Sequence, residues 1–337
     1  MRDLKHMLDT RRGRPSPPQK TLSRSLREPE RRRRRLRLVL PLLILLLAAI
    51  PLVTLWSPLV AKGGRALSAL RDLVSPTPPM AEGELFVRAA QAMAGASPDA
   101  PVCSARLATG QTVEYTVDPV LQRRVRRIFE ENRVPYGVFV AIEPATGRIL
   151  AMTSYSRLDP AWEERAPFTP FPLASLFKIV TAAAALEANK VTPETVVTFR
   201  GRDASENPLY WEASPGLWSR QMELTDAMAK SVNPVFGRLA CDVVGRDAIL
   251  STAGHFGFNL PLFVDSGVLP SSTGDPQNST ELMLMGAGLG REVKASPLHV
   301  AAIMAAIANG GVMMRPQLVD RLRDPETGRV FDRRPLP

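Results

Sequence analysis

A serine and a lysine stand three residues apart in Ser175-Leu176-Phe177-Lys178, at the predicted start of an apolar helix. In the first turn of a helix, this spacing puts Lys178 one turn along the same face as Ser175, so its amine can approach the hydroxyl. An uncharged amine beside a hydroxyl is a local base for a serine nucleophile. The pair therefore predicts a serine nucleophile with its own lysine base, and together with the second motif described below it indicates acyl-transfer chemistry.

The amine can accept a proton only if its pKa is lowered, because an ordinary lysine is protonated at neutral pH. Desolvation lowers the pKa of a lysine, and the apolar residues among 176–180 can exclude water from Lys178. We therefore expect a depressed pKa for Lys178. The backbone N–H of Ser175, at the helix start, would face a developing oxyanion.

A second pair of polar side chains occurs in Ser231-Val232-Asn233, again next to a helical segment. Together with Ser175 and Lys178, these two residues complete the candidate catalytic set. Each motif also has a purely structural interpretation. A serine can cap a helix beside a solvated lysine, and Ser231 and Asn233 can belong to a loop from which Pro234 opens the next helix.

The segments around these motifs predict an α+β fold. Residues 112–118 alternate as a strand does, and a helix is predicted from Pro119 to Glu131. Residues 137–143 and 148–154 are strand candidates joined by a turn, which is typical of a β-hairpin. Further helices are predicted over Ser175–Ala188, Leu224–Lys230, Pro234–Val244, Asp247–Phe256, Ser279–Gly288 and Ser296–Asn309.

The basic residues are concentrated at the N-terminus. Residues 1–37 hold fourteen Lys and Arg against four Asp and Glu, an excess equal to the net charge of +10 of the whole chain. No nucleic-acid binding is predicted, because such binding needs a basic, aromatic-bearing folded surface and this charge belongs to a tail.

An uncharged apolar run follows at 38–61 and is long enough to span a bilayer, which takes about 20 residues. The arginines before it predict a single-pass anchor in the cytoplasmic membrane. The tail at 1–37 would then be cytoplasmic, and the C-terminal domain periplasmic or extracellular. A cleaved signal peptide is the alternative, but its apolar region would be shorter.

Residues 62–111 are interpreted as a stalk with a short helix at 84–93, and the folded domain is predicted at 112–337. Cys103 and Cys241 would face an oxidising compartment, where the two thiols could form one disulfide. The apolar pattern around Cys241 instead favours a buried free thiol. The histidines are scattered, so neither a metal nor a cofactor is expected.

This order of hairpin, serine-headed helix and further helices resembles the transpeptidase domain of penicillin-binding proteins, within the group of serine β-lactamases and DD-peptidases. Single motifs of this kind are weak, but a colinear set from residue 112 onward is specific. The segments that carry the resemblance are Thr116-Val-Asp118, Tyr136–Met152, Pro172–Thr181 around the nucleophile, Lys230–Phe236 as the second motif, and the stretch from Gly288 to Gly311.

The resemblance implies an antiparallel sheet with a helical cluster, and acylation of Ser175 by a peptidoglycan stem peptide ending in D-Ala-D-Ala or by a β-lactam. Ser231 would relay a proton to the leaving amine. Asn233 would hydrogen-bond a substrate amide or position Lys178. Other wall-synthesis proteins would be partners at the membrane.

The family's third motif, Lys-Thr-Gly or Lys-Ser-Gly, is expected some tens of residues after Gly311 but does not occur in this sequence. Lys294-Ala295-Ser296 is superficially similar, but it occupies the position before a helix and is not a substitute. The chain is therefore expected to be truncated before that motif and to lack the C-terminal strands of the sheet. The hairpin would then leave a strand edge and an apolar face uncovered.

Several interpretations remain open. The chain is a membrane-anchored transpeptidase or carboxypeptidase, weakened by loss of the third motif; a non-catalytic scaffold or sensor of the same ancestry; or an inactive truncated gene product. A β-lactamase is another possibility, but no deacylating carboxylate can be identified. The sequence does not distinguish water from a second stem peptide as the acyl acceptor.

Overall fold

The computed structural model describes residues 80–93, 96, 102–212, 218–263, 266 and 268–337, which all belong to one unit, residues 78–337. The predicted tail and the predicted membrane span at 38–61 lie outside these residues. No helix among the described residues is long and apolar enough to cross a bilayer.

The described residues contain ten strands, all paired antiparallel with their neighbours within the sheets. One sheet has four strands in the order β1-β2-β9-β10, and the others are the pairs β3-β4, β5-β8 and β6-β7. The strands are β1 (Ser104–Arg106), β2 (Thr112–Tyr115), β3 (Gly137–Ile142), β4 (Ile149–Tyr155), β5 (Phe171–Pro172), β6 (Val196–Phe199), β7 (Arg220–Glu223), β8 (Lys294–Ala295), β9 (Val319–Arg323) and β10 (Val330–Asp332).

The helices of the described residues lie at positions that agree with the predicted segments to within a few residues. The exceptions are two predicted helices that change type along their length, at Lys178 and at Leu239. The helices are α1 (Glu82–Ala92), α2 (Pro119–Glu131), α3 (Lys178–Glu187), α4 (Leu224–Ala229), α5 (Asn233–Arg238) continued by a π-helix (Leu239–Val244), α6 (Arg246–His255), α7 (Ser279–Gly286) and α8 (Pro297–Ala308).

The predicted hairpin is confirmed as the pair β3-β4, closed by a turn in which the N–H of Gly147 donates to the carbonyl of Glu143 at 2.9 Å. Strand β4 also bonds on its other edge, where the N–H of Ile149 donates to the carbonyl of Gln317 at 2.8 Å. Strand β3 pairs with β4 alone in the described part of the chain. An apolar groove of about 650 Å³ lies between β3 and α8.

The stalk interpretation of residues 62–111 is wrong for residues 80–93, 96 and 102–111, the part of that segment that the structure describes. Helix α1 is amphipathic and buries Leu85, Phe86 and Ala89, and the ring of Phe86 stacks on that of Phe263 at a centroid distance of 4.1 Å. Strand β1 pairs with β2. Because burying a Leu or a Phe side chain stabilises the fold by about 2 kcal/mol, α1 and β1 are part of the domain.

Two apolar clusters hold the described residues together. One lies among helices α3 to α8 and includes Phe177 and Phe236, and the other joins α1 to the four-stranded sheet. Both cysteines are free thiols, Cys103 buried and Cys241 half-buried. Burial raises the pKa of the Cys103 thiol, so this thiol is a packed apolar group and not a reactive one.

Candidate active site

Ser175 and Lys178 lie at the junction of two kinds of helix. Ser175 is on a 3₁₀ turn (Ala174–Phe177), and the α-helix α3 begins at Lys178 itself. The sequence predicted a single α-helix from Ser175, and the tighter turn replaces the first three residues of that helix. The predicted proximity is nevertheless present, because the Lys178 Nζ donates to the Ser175 Oγ at 2.8 Å.

Ser231 and Asn233, the polar residues of the second motif, contact the same amine. Lys178 Nζ donates to Asn233 Oδ1 at 2.7 Å and to Ser231 Oγ at 3.3 Å. Asn233 is the first residue of α5, and Ser231 lies in the turn between α4 and α5. All four residues of the candidate catalytic set therefore converge on one nitrogen.

The site combines a buried amine, that of Lys178, with an exposed hydroxyl, that of Ser175. Lys178 is only 1% exposed and lies 6.0 Å from the ring centroid of Phe236, whereas Ser175 is exposed to solvent. Within the described residues Lys178 forms no ion pair with a carboxylate. Desolvation therefore dominates and lowers the pKa of Lys178 to about 8, as the sequence predicted.

This pKa predicts how acylation of Ser175 depends on pH. The neutral amine is the form that can remove the hydroxyl proton, so the acylation rate should rise with pH and level off above a midpoint near pH 8. The rate constant for labelling by a fluorescent penicillin, measured from pH 6 to 10, checks this. A rate that is flat across this range would contradict a role for Lys178 as the base.

The backbone on both sides of the site is strained. Ala174, directly before Ser175, has φ 52°, and Ser231 has φ 55°. A residue with a Cβ pays about 1 kcal/mol or more in this left-handed region. Such strain is maintained only by surrounding packing, and both residues lie at the hydroxyls that contact Lys178. The sequence carries no signal for it, since neither position is Gly or Asn.

Gly288 supports the strained turn from behind. It has φ +77°, and a Cβ there would collide with the carbonyl oxygen of Ala174 and lie 3.0 Å from the Cα of Ser175. The backbone of Gly288 therefore packs directly against the backbone of Ala174 and Ser175. A side chain at this position would displace Ser175 from Lys178.

Gly288→Ala should therefore reduce acylation by at least about tenfold, as expected when a reacting group moves by about 1 Å. Gly245→Ala is the matched control, because Gly245 has φ +87° but open space around its would-be Cβ. Both variants should lose about 1 kcal/mol of stability from the left-handed backbone. Thermal melts measure the loss of stability, and labelling rates measure the loss of acylation. Equal labelling rates for both variants would contradict the role of Gly288 in holding the turn at Ser175.

Lys294 lies on β8, which pairs with β5 just before the nucleophile turn. The side chain of Ser296 accepts from the N–H of His299 at 3.2 Å and so caps α8. Lys294-Ala295-Ser296 is thus a helix entry, as the sequence indicated. The described residues hold no group of three or more His, Cys, Asp or Glu placed to bind a metal ion.

The sequence missed one further part of the site. The backbone N–H of Asn233 donates to the carbonyl of Asp203 at 2.8 Å, and its Nδ2 donates to the carbonyl of Ser205 at 3.2 Å. These contacts join residues about thirty positions apart, so no local spacing could have revealed them.

Comparison with known proteins agrees with this geometry. Residues 137–336 match the family described as penicillin binding protein transpeptidase domain. The peptidoglycan D,D-transpeptidase PbpA of Mycolicibacterium smegmatis is 31% identical over 252 residues, which cover 66% of this chain and 51% of that protein. PbpA of Mycobacterium tuberculosis H37Rv is 30% identical over 254 residues, with the same two coverages. The chain thus spans about half the length of these relatives.

Solved structures are similar as well. The penicillin G acyl-enzyme complex of penicillin-binding protein A from M. tuberculosis matches with a TM-score of 0.56 and 29% identity, covering 67% of this chain and 59% of that one. The D,D-transpeptidase domain of a peptidoglycan glycosyltransferase from Eggerthella lenta matches with a TM-score of 0.55 and 28% identity, covering 67% and 62%. The chain has the α+β transpeptidase fold, and it belongs to the penicillin-binding protein transpeptidase domain family.

Proposed function

We propose that this protein is an acyl-serine D,D-transpeptidase of the penicillin-binding type, acylated at Ser175 by peptidoglycan stem peptides and by β-lactams. The observation that carries the proposal is the contact of a buried, weakly basic Lys178 with an exposed Ser175, at 2.8 Å. The related PbpA proteins are named as peptidoglycan D,D-transpeptidases, and a similar structure is a penicillin G acyl-enzyme complex.

In the proposed reaction, Lys178, Ser175 and Ser231 act in successive steps. Lys178 Nζ takes the proton of the Ser175 hydroxyl while Oγ forms a bond to the carbonyl carbon of the penultimate D-Ala. The tetrahedral oxyanion faces the Ser175 N–H, which at the start of its turn has no intrahelical partner. Collapse breaks the C–N bond, and the leaving amine receives a proton through Ser231. An acceptor amine or water then releases the acyl group from Ser175.

Asn233 serves this cycle by its bond to the amine. The Asn233 Oδ1 accepts from Lys178 Nζ at 2.7 Å, so it holds the amine between the two hydroxyls. Acceptors of this kind favour the charged form of a lysine. The bond to Asn233 therefore offsets part of the fall in the Lys178 pKa that desolvation causes. Lys178 can then hold the proton that it removes from Ser175.

We also infer a place for the protein in the cell. The basic residues 1–37 followed by the apolar residues 38–61 support a single-pass anchor in the cytoplasmic membrane, with the transpeptidase domain on the outer side. That location would bring the domain to its peptidoglycan substrate and to other wall-synthesis proteins. Protease treatment of intact spheroplasts tests it: the domain should be digested, and protection would contradict the topology.

Covalent labelling tests the activity. The full chain is incubated with a fluorescent penicillin, digested, and the adduct located by mass spectrometry, which should place it on the peptide with Ser175. A peptide ending in D-Ala-D-Ala should slow the labelling, whereas its L-Ala-L-Ala stereoisomer should not. A folded chain that forms no adduct would contradict the proposal.

A non-catalytic scaffold or sensor is the second candidate. Such a protein would keep its fold and show no adduct with penicillin. Labelling of the wild-type chain, even when slow, decides against it.

A further inference from the structure

We propose that Ser205 and Trp211 are positioning residues for Asn233, and that the loop they anchor, residues 201–211, decides which atom of the Asn233 amide faces Lys178. The inference rests on the acylation mechanism proposed above, and it adds a segment that lies outside both catalytic motifs. The loop touches the site through backbone carbonyl groups.

The orientation of the Asn233 amide follows from what each neighbour can do. The carbonyl of Ser205 can only accept, so it requires the Nδ2 group, which donates to it at 3.2 Å. The ammonium form of Lys178 can only donate, so it requires Oδ1, at 2.7 Å. Both requirements are met by one orientation. Without the Ser205 carbonyl, the amide could rotate and present Nδ2 to the amine.

Ser205 is held in place by a buried tryptophan. The indole Nε1 of Trp211 donates to the Ser205 Oγ at 2.9 Å, and Trp211 is 0% exposed. Its ring lies flush against α5, the helix that begins with Asn233, because a Cβ at Gly237 would collide with it. The tryptophan thus connects the loop to the same helix that carries the amide.

The two ends of the loop are also fastened. The N–H of Arg200 donates to the carbonyl of Trp211 at 3.2 Å, and Arg220 on β7 forms an ion pair with Asp203. Arg220 in turn lies over the ring of Phe199, 5.0 Å from its centroid. The loop therefore has a defined position, as a positioning element requires.

A flipped amide would change the chemistry of Lys178 in a predictable way. An amide N–H donates to a neutral amine and repels an ammonium, so the flip would favour the neutral form. It would also engage the lone pair that must remove the Ser175 proton. Loss of the anchor should therefore lower the titration midpoint of Lys178 and slow acylation even at high pH. The charged groups of the loop are Arg202, Asp203 and Glu206, with Arg220 paired to Asp203.

The test follows the Lys178 amine directly. NMR titration of the full chain labelled at lysine Cε gives the midpoint without any acylation, and the chain has only seven lysines, of which Lys178 is assigned from the spectrum of Lys178→Met. Ser205→Ala removes the acceptor of the Trp211 N–H and should lower the midpoint by about half a pH unit. Trp211→Phe removes the donor of the same hydrogen bond and should also lower the titration midpoint of Lys178.

Two further variants separate positioning from general damage to the loop. Ser205→Thr keeps a hydroxyl and should restore the wild-type midpoint. Asn207→Ala removes a different bond of the same loop, the one from the Leu209 N–H at 3.1 Å, and should leave the midpoint unchanged. An unshifted midpoint in Ser205→Ala, or an equal shift in Asn207→Ala, would overturn the proposal.

Acylation supplies the second readout. At high pH the penicillin-labelling rate of Ser205→Ala should fall about five- to tenfold, the effect of roughly one hydrogen bond, and Ser205→Thr should recover it. If the wild-type chain is not labelled at all, the proposed function fails, while the NMR midpoints still decide whether Ser205 orients Asn233.

Discussion

Replacing Ser175 by alanine should abolish the covalent penicillin adduct, with a fall in labelling rate of at least about a thousandfold, because the substitution removes the oxygen that is proposed to attack. The fold should survive. Ser175 is exposed, and its hydroxyl is one of three acceptors around Lys178. The free energy of unfolding should change by about 1 kcal/mol or less. Intact-mass spectrometry and thermal melting measure the two quantities.

Ser251→Ala is the matched control for this variant. Ser251 is an exposed serine on α6 (Arg246–His255), so its replacement removes a hydroxyl of the same kind away from the site. It should label at the wild-type rate. Persistent labelling of Ser175→Ala would show that another residue is the nucleophile.

Lys178→Met should have two distinct effects, a loss of acylation and a change in stability that depends on pH. Methionine keeps an unbranched chain of similar length but cannot accept a proton, so acylation should fall by about a hundred- to ten-thousandfold. Its effect on stability should depend on pH. The folded-state pKa of Lys178, about 8, lies below its ordinary value of 10.5, so between these values the unfolded chain binds more protons than the folded one.

The wild-type free energy of unfolding therefore gains a contribution that rises with pH through this window. Below pH 8 the folded protein bears the full cost of the buried charge, and Lys178→Met removes that cost. The stability of the variant relative to wild type should then decrease by up to about 3 kcal/mol between pH 7 and 10.5. Lys190→Met, at an exposed lysine, is the control for loss of a lysine. Urea unfolding at several pH values provides the measurement, and a difference independent of pH would contradict the lowered pKa.

Local patterns predicted most of the secondary structure. The hairpin β3-β4, the helix α2 after Pro119 and the helices following Ser175 all occur where hydrophobic periodicity and turn residues placed them. These patterns fail where packing outweighs them. By composition α1 and β1 look like parts of a linker, yet the few apolar side chains of α1 are enough to dock this helix on the four-stranded sheet.

The sequence by itself determined the local chemistry of this protein. A serine and a lysine three residues apart must share one face of a helical turn, so their contact and the lowered pKa of the amine could be predicted from spacing and apolar neighbours alone. The same holds for the family, since the colinear motifs are a property of the sequence.

Only the tertiary structure decided which other groups surround Ser175 and Lys178. The arrival of Ser231 and Asn233 at the same amine, the strained backbone at Ala174, and the close approach of Gly288 all join distant parts of the chain. The physical reason is that such contacts arise from packing energy shared among many residues, which no single spacing records. The orientation of the Asn233 amide depends on a loop nearly thirty residues away, and so it becomes visible only once the chain is folded.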